Sequence, residues 1–265
     1  MAGEAKTTEF LLSTATIMVG PTSKVMELTP ALHSLGLVKN IQVQADVSFT
    51  ELTQGIQQQV VSSVNTGSQT KITGELYEYT ARNLAYGAQL DGSAAAYDPI
   101  TTTYTLAAAI TTGGATVTLG TGQGADFNVG DFVVIQDTNS PDKLHVGKVA
   151  SKASDVLTLA TGYIMPNSTA FATATTVIYR VTPIKVGAVS AQPTMGLKMV
   201  GLLPESGQPI TLVFPKVKIT KGISLAFQTD NFANMPFEFT PYALVSTDNY
   251  YADFGSTKRW MVLRT

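Results

Sequence analysis

Few side chains in this 265-residue chain have the chemistry of a reactive site. Its two histidines, His33 and His145, stand far apart, neither at ligand spacing from a second metal-binding residue, and there is no cysteine. A zinc site is therefore not expected, and disulfides and thiolate nucleophiles are excluded. A lone histidine in an apolar stretch such as Leu144–Ala150 reads as a packed or surface side chain. Gly120–Gly124 is rich in glycine but lacks the spacing of a dinucleotide or phosphate loop, and no helical pattern follows it. A flexible hairpin loop accounts for it better. Asp126, Asn128 and Asp131 around Gly130 resemble a calcium loop that has lost its closing glutamate, so a turn into a strand at Phe132 is the expectation. No G-x-S-x-G elbow occurs. Glu75 and Glu78 have no companion for acid–base work and read as solvated strand ends. Asn167–Thr169 is a glycosylation sequon, with meaning only in a secreted chain. The chain offers no catalytic residue, no metal ligand set and no cofactor cradle. The expectation is a protein that is not an enzyme.

Composition points the same way. Hydrophobic residues make up 44% and charged residues 14%, against roughly 25% charged in an average globular protein. Thr, Ser, Gln and Asn replace the missing charge, giving a neutral polar surface with little self-repulsion against association. The net charge is −2 and the pI about 5.7, without the basic patch of a protein that grips nucleic acid. Met1–Phe10 has no basic stretch leading into an apolar run, so no signal peptide is expected. The longest apolar runs, such as Leu106–Ile110, fall far short of the ~20 residues of a membrane helix. A soluble protein made in a cytoplasm is the expectation.

The elements that would position any site are strands. From Lys39 to Thr50, Ile41, Val43, Ala45, Val47 and Phe49 alternate with Gln42, Gln44, Asp46, Ser48 and Thr50, the pattern of a strand with one buried and one wet face. Leu52 and Ile56 then break the phase, which predicts a bulge or bend near Glu51. Gln57–Val64 reads as an extended polar segment and Asn65–Ser68 as a turn or loop tip. Lys71–Tyr79 is a further strand. Thr80 caps a short helix whose Ala81, Leu84, Ala85 and Ala88 share a face and which Asp91–Gly92 ends. The composition changes over Asp98–Thr182, where short Thr/Val/Ala runs are separated by turn residues, as in a small barrel or sandwich. This block carries the whole net charge, with six acids and four bases against an even balance elsewhere. After Pro183 the earlier long alternating pattern returns. Ile210–Phe214 is a strand that Pro215 confines to an edge or bulge. Val217, Ile219, Ile223, Leu225 and Phe227 then share one face, and Met235, Phe237 and Phe239 another. The expected fold is all-β: residues 1–97 and 183–265 form a discontinuous domain of two packed antiparallel sheets with one short helix, and 98–182 form an inserted small β domain. Ile41, Val43, Val47, Phe49, Val217, Ile219, Leu225, Phe227, Phe237 and Phe239 make up the expected core.

Three stretches resemble phage tail tube proteins: Gly36–Gly55, Lys71–Tyr86, and the set Phe214–Thr220, Leu225–Phe227 and Met235–Tyr242. They lie in order on both sides of the insertion and span about two-thirds of the chain. The resemblance implies hexameric rings stacked into a hollow tube in a virion, assembled in the host cytoplasm, through which DNA passes without sequence-specific binding. It implies tape-measure, baseplate and tail-terminator proteins as partners besides other copies of the chain, leaves a sheath protein open, and implies no membrane. The inserted block lies outside the common core, and an outward-facing decoration is expected of it.

The residues support assembly separately. Long alternating strands present sheet edges that copies of the chain would complete. The wet face Gln42, Gln44, Asp46, Ser48 and Thr50 would line the channel, with Lys216 and Lys218 neutralised across strands by acids such as Asp46. The N-terminal stretch, with Phe10, Leu11, Leu12, Ile17 and Val19, and the segment Gln57–Gln69, with Gln57, Gln58, Gln59, Asn65 and Ser68, are candidate contacts between rings or subunits. The alternative for both is an N-terminal edge strand and an exposed hairpin. Competing functions are a baseplate or capsid-decoration protein and a carbohydrate- or ligand-binding β module.

Overall fold

A computed structural model describes residues 15–54, 56, 58–187, 191–204, 206–225 and 232–264. In chain order the strands are β1 (Thr16–Pro21), β2 (Val38–Gln54), β3 (Gln59–Leu76), β4 (Tyr104–Thr105), β5 (Thr116–Thr118), β6 (Phe132–Asp137), β7 (Leu144–Ala153), β8 (Val156–Leu159), β9 (Thr176–Val181), β10 (Met195–Leu202), β11 (Pro209–Ile219), β12 (Met235–Pro241) and β13 (Met261–Arg264). Among the described residues three short α-helices, α1 (Pro30–His33), α2 (Ala81–Gly87) and α3 (Tyr251–Phe254), accompany them. The protein is mostly β, with two antiparallel sheets, one in each of two compact units. One unit takes in the chain up to Tyr97 and from Val186 onward; the other is Asp98–Lys185.

The seven strands of the first unit run in the order β1-β10-β11-β12-β3-β2, with β13 also on β11. β11 serves two partners on one edge: Ile210–Val213 pairs β13, and Val217–Ile219 pairs β12. Pro215 lies at the change-over, where the ladder to β10 also shifts register, as a residue without a donor N–H requires. The sheet curls around a core drawn from every strand but β13: Ile17, Val19, Ile72, Leu76, Leu197, Phe214, Val217, Ile219, Phe237 and Phe239 are all buried. Ile41 and Val43 pack on it half-buried. A smaller cluster of Met18, Val25, Leu28, Val213, Leu244 and Phe254 covers part of the other face. α2 closes one side, its Thr80 Oγ1 accepting from Asn83 N as the cap.

Several expectations are corrected here. Ile17 and Val19 are not subunit contacts: β1 is a full partner of β10, and both side chains are wholly buried. Val47 and Phe49 stand exposed rather than in the core, because β2 runs on beyond the strands that could cover them. Leu225 is exposed as well, since β11 ends at Ile219 and Lys221-Gly222 follow. Asn65–Ser68 is no loop tip but lies within β3. Lys216 pairs with Asp248 at 2.6 Å and not with Asp46, while Lys218 Nζ lies 5.4 Å from the centre of the Tyr242 ring. Phe10, Leu11, Leu12, Gln57 and Phe227 lie outside the described residues.

The second unit is a six-stranded sheet in the order β4-β9-β6-β7-β8-β5. It curls until its end strands meet: Leu106 bridges Leu119, Ala107 N donates to Thr118 O, and Gly120 N donates to Thr105 O. Inside are Val117, Phe127, Val133, Ile135, Leu157, Phe171 and Ile178, all buried. A barrel closed in this way leaves no long free edge.

Candidate assembly surface

The groups singled out for chemistry all have structural partners. His33 Nδ1 accepts from Thr29 N at 3.2 Å, across α1. His145 Nε2 lies 2.8 Å from Tyr163 O, to which it donates. The Gly120–Gly124 run is no flexible hairpin: Gly122 N and Gly124 N both donate to the Asp155 carboxylate, at 2.9 and 2.8 Å. A Cβ on Gly124 would stand 2.1 Å from Ser154 O, so only glycine permits this packing. Those amide bonds hold the Asp155 carboxyl below its ordinary range. Asp131 accepts from Asn128 N in the turn before β6. Glu75 accepts from Tyr77 OH and Asn40 Nδ2, both at 3.0 Å, and the Tyr77 bond leads in keeping it ionised. Glu78 accepts from Leu37 N at 2.8 Å. Among the described residues no cluster of three or more His, Asp or Glu side chains is placed to hold a metal. In the barrel, Tyr104, Phe127 and Phe171 are core, which takes them away from any saccharide platform.

What stands out instead is a projecting β ribbon. β2 and β3 pair along nearly their whole length, from Val38↔Leu76 to Gln54↔Gln59. β12 reaches only Ile72–Leu76 of β3. Beyond that point residues 44–54 of β2 and 59–71 of β3 pair only with each other among the described residues. At about 3.3 Å per residue this arm is roughly 35 Å long. Arg259 Nη1 donates to Ser68 O at 2.8 Å and ties its base. Every described residue from Gln44 to Gln69 is exposed.

An exposed arm of two strands is marginal in water unless something packs on it, and this one is not polar. Val47, Phe49, Leu52, Ile56, Val60, Val61 and Val64 are all exposed, Phe49 at 59% and Leu52 at 65%. No protein-family model matches the chain, and no curated protein does.

The predicted contact residues Gln58, Gln59, Asn65 and Ser68 are brought together on this arm, all exposed. Gln42, Gln44, Asp46, Ser48 and Thr50 are exposed along one face of β2. The first of them continues a polar row across the sheet: Gln42 is opposite Thr73, Thr73 opposite Glu238, and Thr240 opposite Lys218. Lys71 and Glu238 pair across it at 3.7 Å, and Gln44 Nε2 donates to both oxygens of Asp46 at 3.1 Å. This surface is neutral overall and backs onto the buried core. The apolar residues of the arm itself were missed as contacts. Their signal was the phase break at Leu52 and Ile56, together with a second strand-length stretch, 59–76, that mirrors 38–54.

β2 presents a second incomplete feature. Its other edge has no strand partner from Val38 to Gln54 among the described residues, leaving a row of backbone donors and acceptors open to another strand.

Proposed function

We propose that this chain is a self-assembling structural subunit, that of a phage tail tube, which forms hexameric rings stacked around a channel for DNA. The observation that carries the reading is the arm: about 35 Å of β ribbon with seven exposed apolar side chains and a free strand edge, on a unit whose remaining strands close on a core of their own. Burying an apolar side chain stabilises by roughly 1.5–3 kcal/mol, so the arm gains from a partner and has none in its own chain among the described residues.

The neutral polar row through Gln42, Gln44, Thr73 and Glu238 suits the wall of a bore. It offers no excess of cations to hold phosphate, so a polyanion would slide past it. In this reading the tape-measure, baseplate and tail-terminator proteins meet the same ring surfaces at the ends of the tube or within it. In this reading the inserted barrel is a decoration and not part of the ring wall.

Negative-stain microscopy and sedimentation of the purified chain test this. Tubes or six-fold rings are expected. Three-fold particles would point to a decoration or baseplate role, and monomers at all concentrations would overturn the assembly reading.

A further inference from the structure

The arm is amphipathic twice, in opposite senses. Residues directly opposite in an antiparallel pair share a face, so the register assigns every side chain to one side or the other. Near the base, Val47 and Phe49 continue the row of Ile41 and Val43 on the core-side face, beside Ser68 and Asn65. Behind them, on the opposite face, are Asp46, Ser48, Gln69 and Gly67, all polar or bare. Toward the tip the arrangement reverses. Leu52 and Val64 are diagonal neighbours on the face opposite the core side, and behind them lie Glu51 and Ser63. Val60, opposite Thr53 at the end, is the one apolar side chain paired on the core-side face there.

The reversal is built into β3. Its ladder slips at Thr66, between Ser48↔Gly67 and Phe49↔Asn65. That extra residue turns β3 over from Asn65 to Ser62, and without it Val64 would lie on the core-side face, away from Leu52; a second slip, between Leu52↔Ser62 and Thr53↔Val60, turns the strand again at the end. The bulge is braced by Asn65 Oδ1, which accepts from Gly67 N at 2.9 Å, and by Thr66 Oγ1, which donates to Ser48 O at 3.2 Å. Within this short stretch the register places the two apolar patches on opposite faces of the ribbon. A ribbon lying on a single surface needs one apolar face. This one needs a surface on each side.

We infer that the arm is clamped between two other copies of this chain, one packing on Val47 and Phe49 and the other on Leu52 and Val64. The inference rests on the self-assembly reading. Copies of the chain are the fitting occupants on three grounds. The arm's roughly 25 residues match the 20–30 that one partner gives to a standard protein interface. The arm carries only Asp46 and Glu51 as charges beyond its base, so it offers no strong electrostatic match to a foreign surface. The open edge of β2, continuous with the same arm, calls for a strand of the same kind.

The absence of native cysteine makes the test direct. Four single variants, Phe49→Cys, Leu52→Cys, Ser48→Cys and Glu51→Cys, are labelled with a maleimide in dilute and in assembled protein. Two-sided clamping predicts at least a tenfold loss of labelling rate on assembly at Phe49 and Leu52, while Ser48 and Glu51 keep reacting. Protection confined to one face, or of all four positions, overturns it. The paired variants V47S/F49S and L52S/V64S should arrest at particles of different size; arrest at one common size rules out two separate partners. Wild-type chain that never assembles, with all four positions reactive throughout, is the distinct outcome in which the function reading fails too.

Discussion

Phe49 and Phe239 show how position along a strand outweighs residue type. Both belong to alternating apolar rows, yet Phe239 is buried at 1% exposure and Phe49 stands at 59%. Phe239→Ala should cost about 3–5 kcal/mol in chemical denaturation. Phe49→Ser should leave the stability of the dilute chain within about 0.5 kcal/mol and still impair assembly. Asp155 makes a different point, because its carboxylate holds two glycine amides in place of a ligand. Its folded-state pKa is depressed, so its contribution is complete above the ordinary carboxylate range and is lost as pH falls through the lowered value. Asp155→Asn should lower the melting temperature at neutral pH and flatten the acid limb of the melting profile below about pH 4. An unchanged profile would mean that the glycine turn holds itself without the charge. The sequence could show Asp155 as an acid near a turn; its partners, thirty-odd residues back in the chain, become visible only once β7 and β8 are folded.

At the scale of elements, alternation made the strands legible and did not reveal their reach. The first half of β2, the barrel strands at Phe132 and Leu144–Ala150 and the Thr80 cap follow from residue spacing. Thr80→Ala should cost about 1 kcal/mol, measurable by denaturant titration. The arm was hidden for a physical reason. Alternation is the signature of one buried face, and where a ribbon leaves its sheet both faces are wet, so Val60, Val61 and Val64 lose the period that marks a strand. Asn65-Thr66-Gly67-Ser68 carries turn chemistry, but the same residue types serve a bulge, and only the partner strand decides between the two. β1 is the N-terminal edge strand that the sequence offered as the alternative to a subunit contact; that its side chains are core was not legible, because its apolar run is short and its partner β10 is distant in the chain. Removing residues 1–20 would therefore strip most of a buried strand and destabilise the fold. Replacing residues 52–62 with a short turn is the cleaner cut. Circular dichroism and the melting temperature of the dilute chain should hardly change, while sedimentation should show that assembly is lost.

For the molecule as a whole, the two units divide stability from interaction. The barrel of Asp98–Lys185 has its own core and closes its edges, so the fragment 98–185 should melt cooperatively when expressed alone; a non-cooperative melt would show that it depends on the other unit. The first unit has a full core and an arm that reaches past it. Seven apolar side chains at roughly 1.5 kcal/mol each give about 10 kcal/mol of gross gain on full burial. Association of two molecules forfeits roughly 4–15 kcal/mol. One arm on one partner is thus weak; in the proposed ring every copy would both give and receive an arm, and the contacts would add. The strands of the insertion satisfy one another and leave no comparable arm.

Assembly of this kind requires that the open border of β2 be completed by another copy of the chain. Amide hydrogen exchange along residues 44–54, followed from dilute to concentrated protein, reads that border bond by bond. Fast exchange at the outward-pointing amides is expected in dilute solution, with strong protection once particles form. Protection already present in the dilute chain, or none at any concentration, would contradict it.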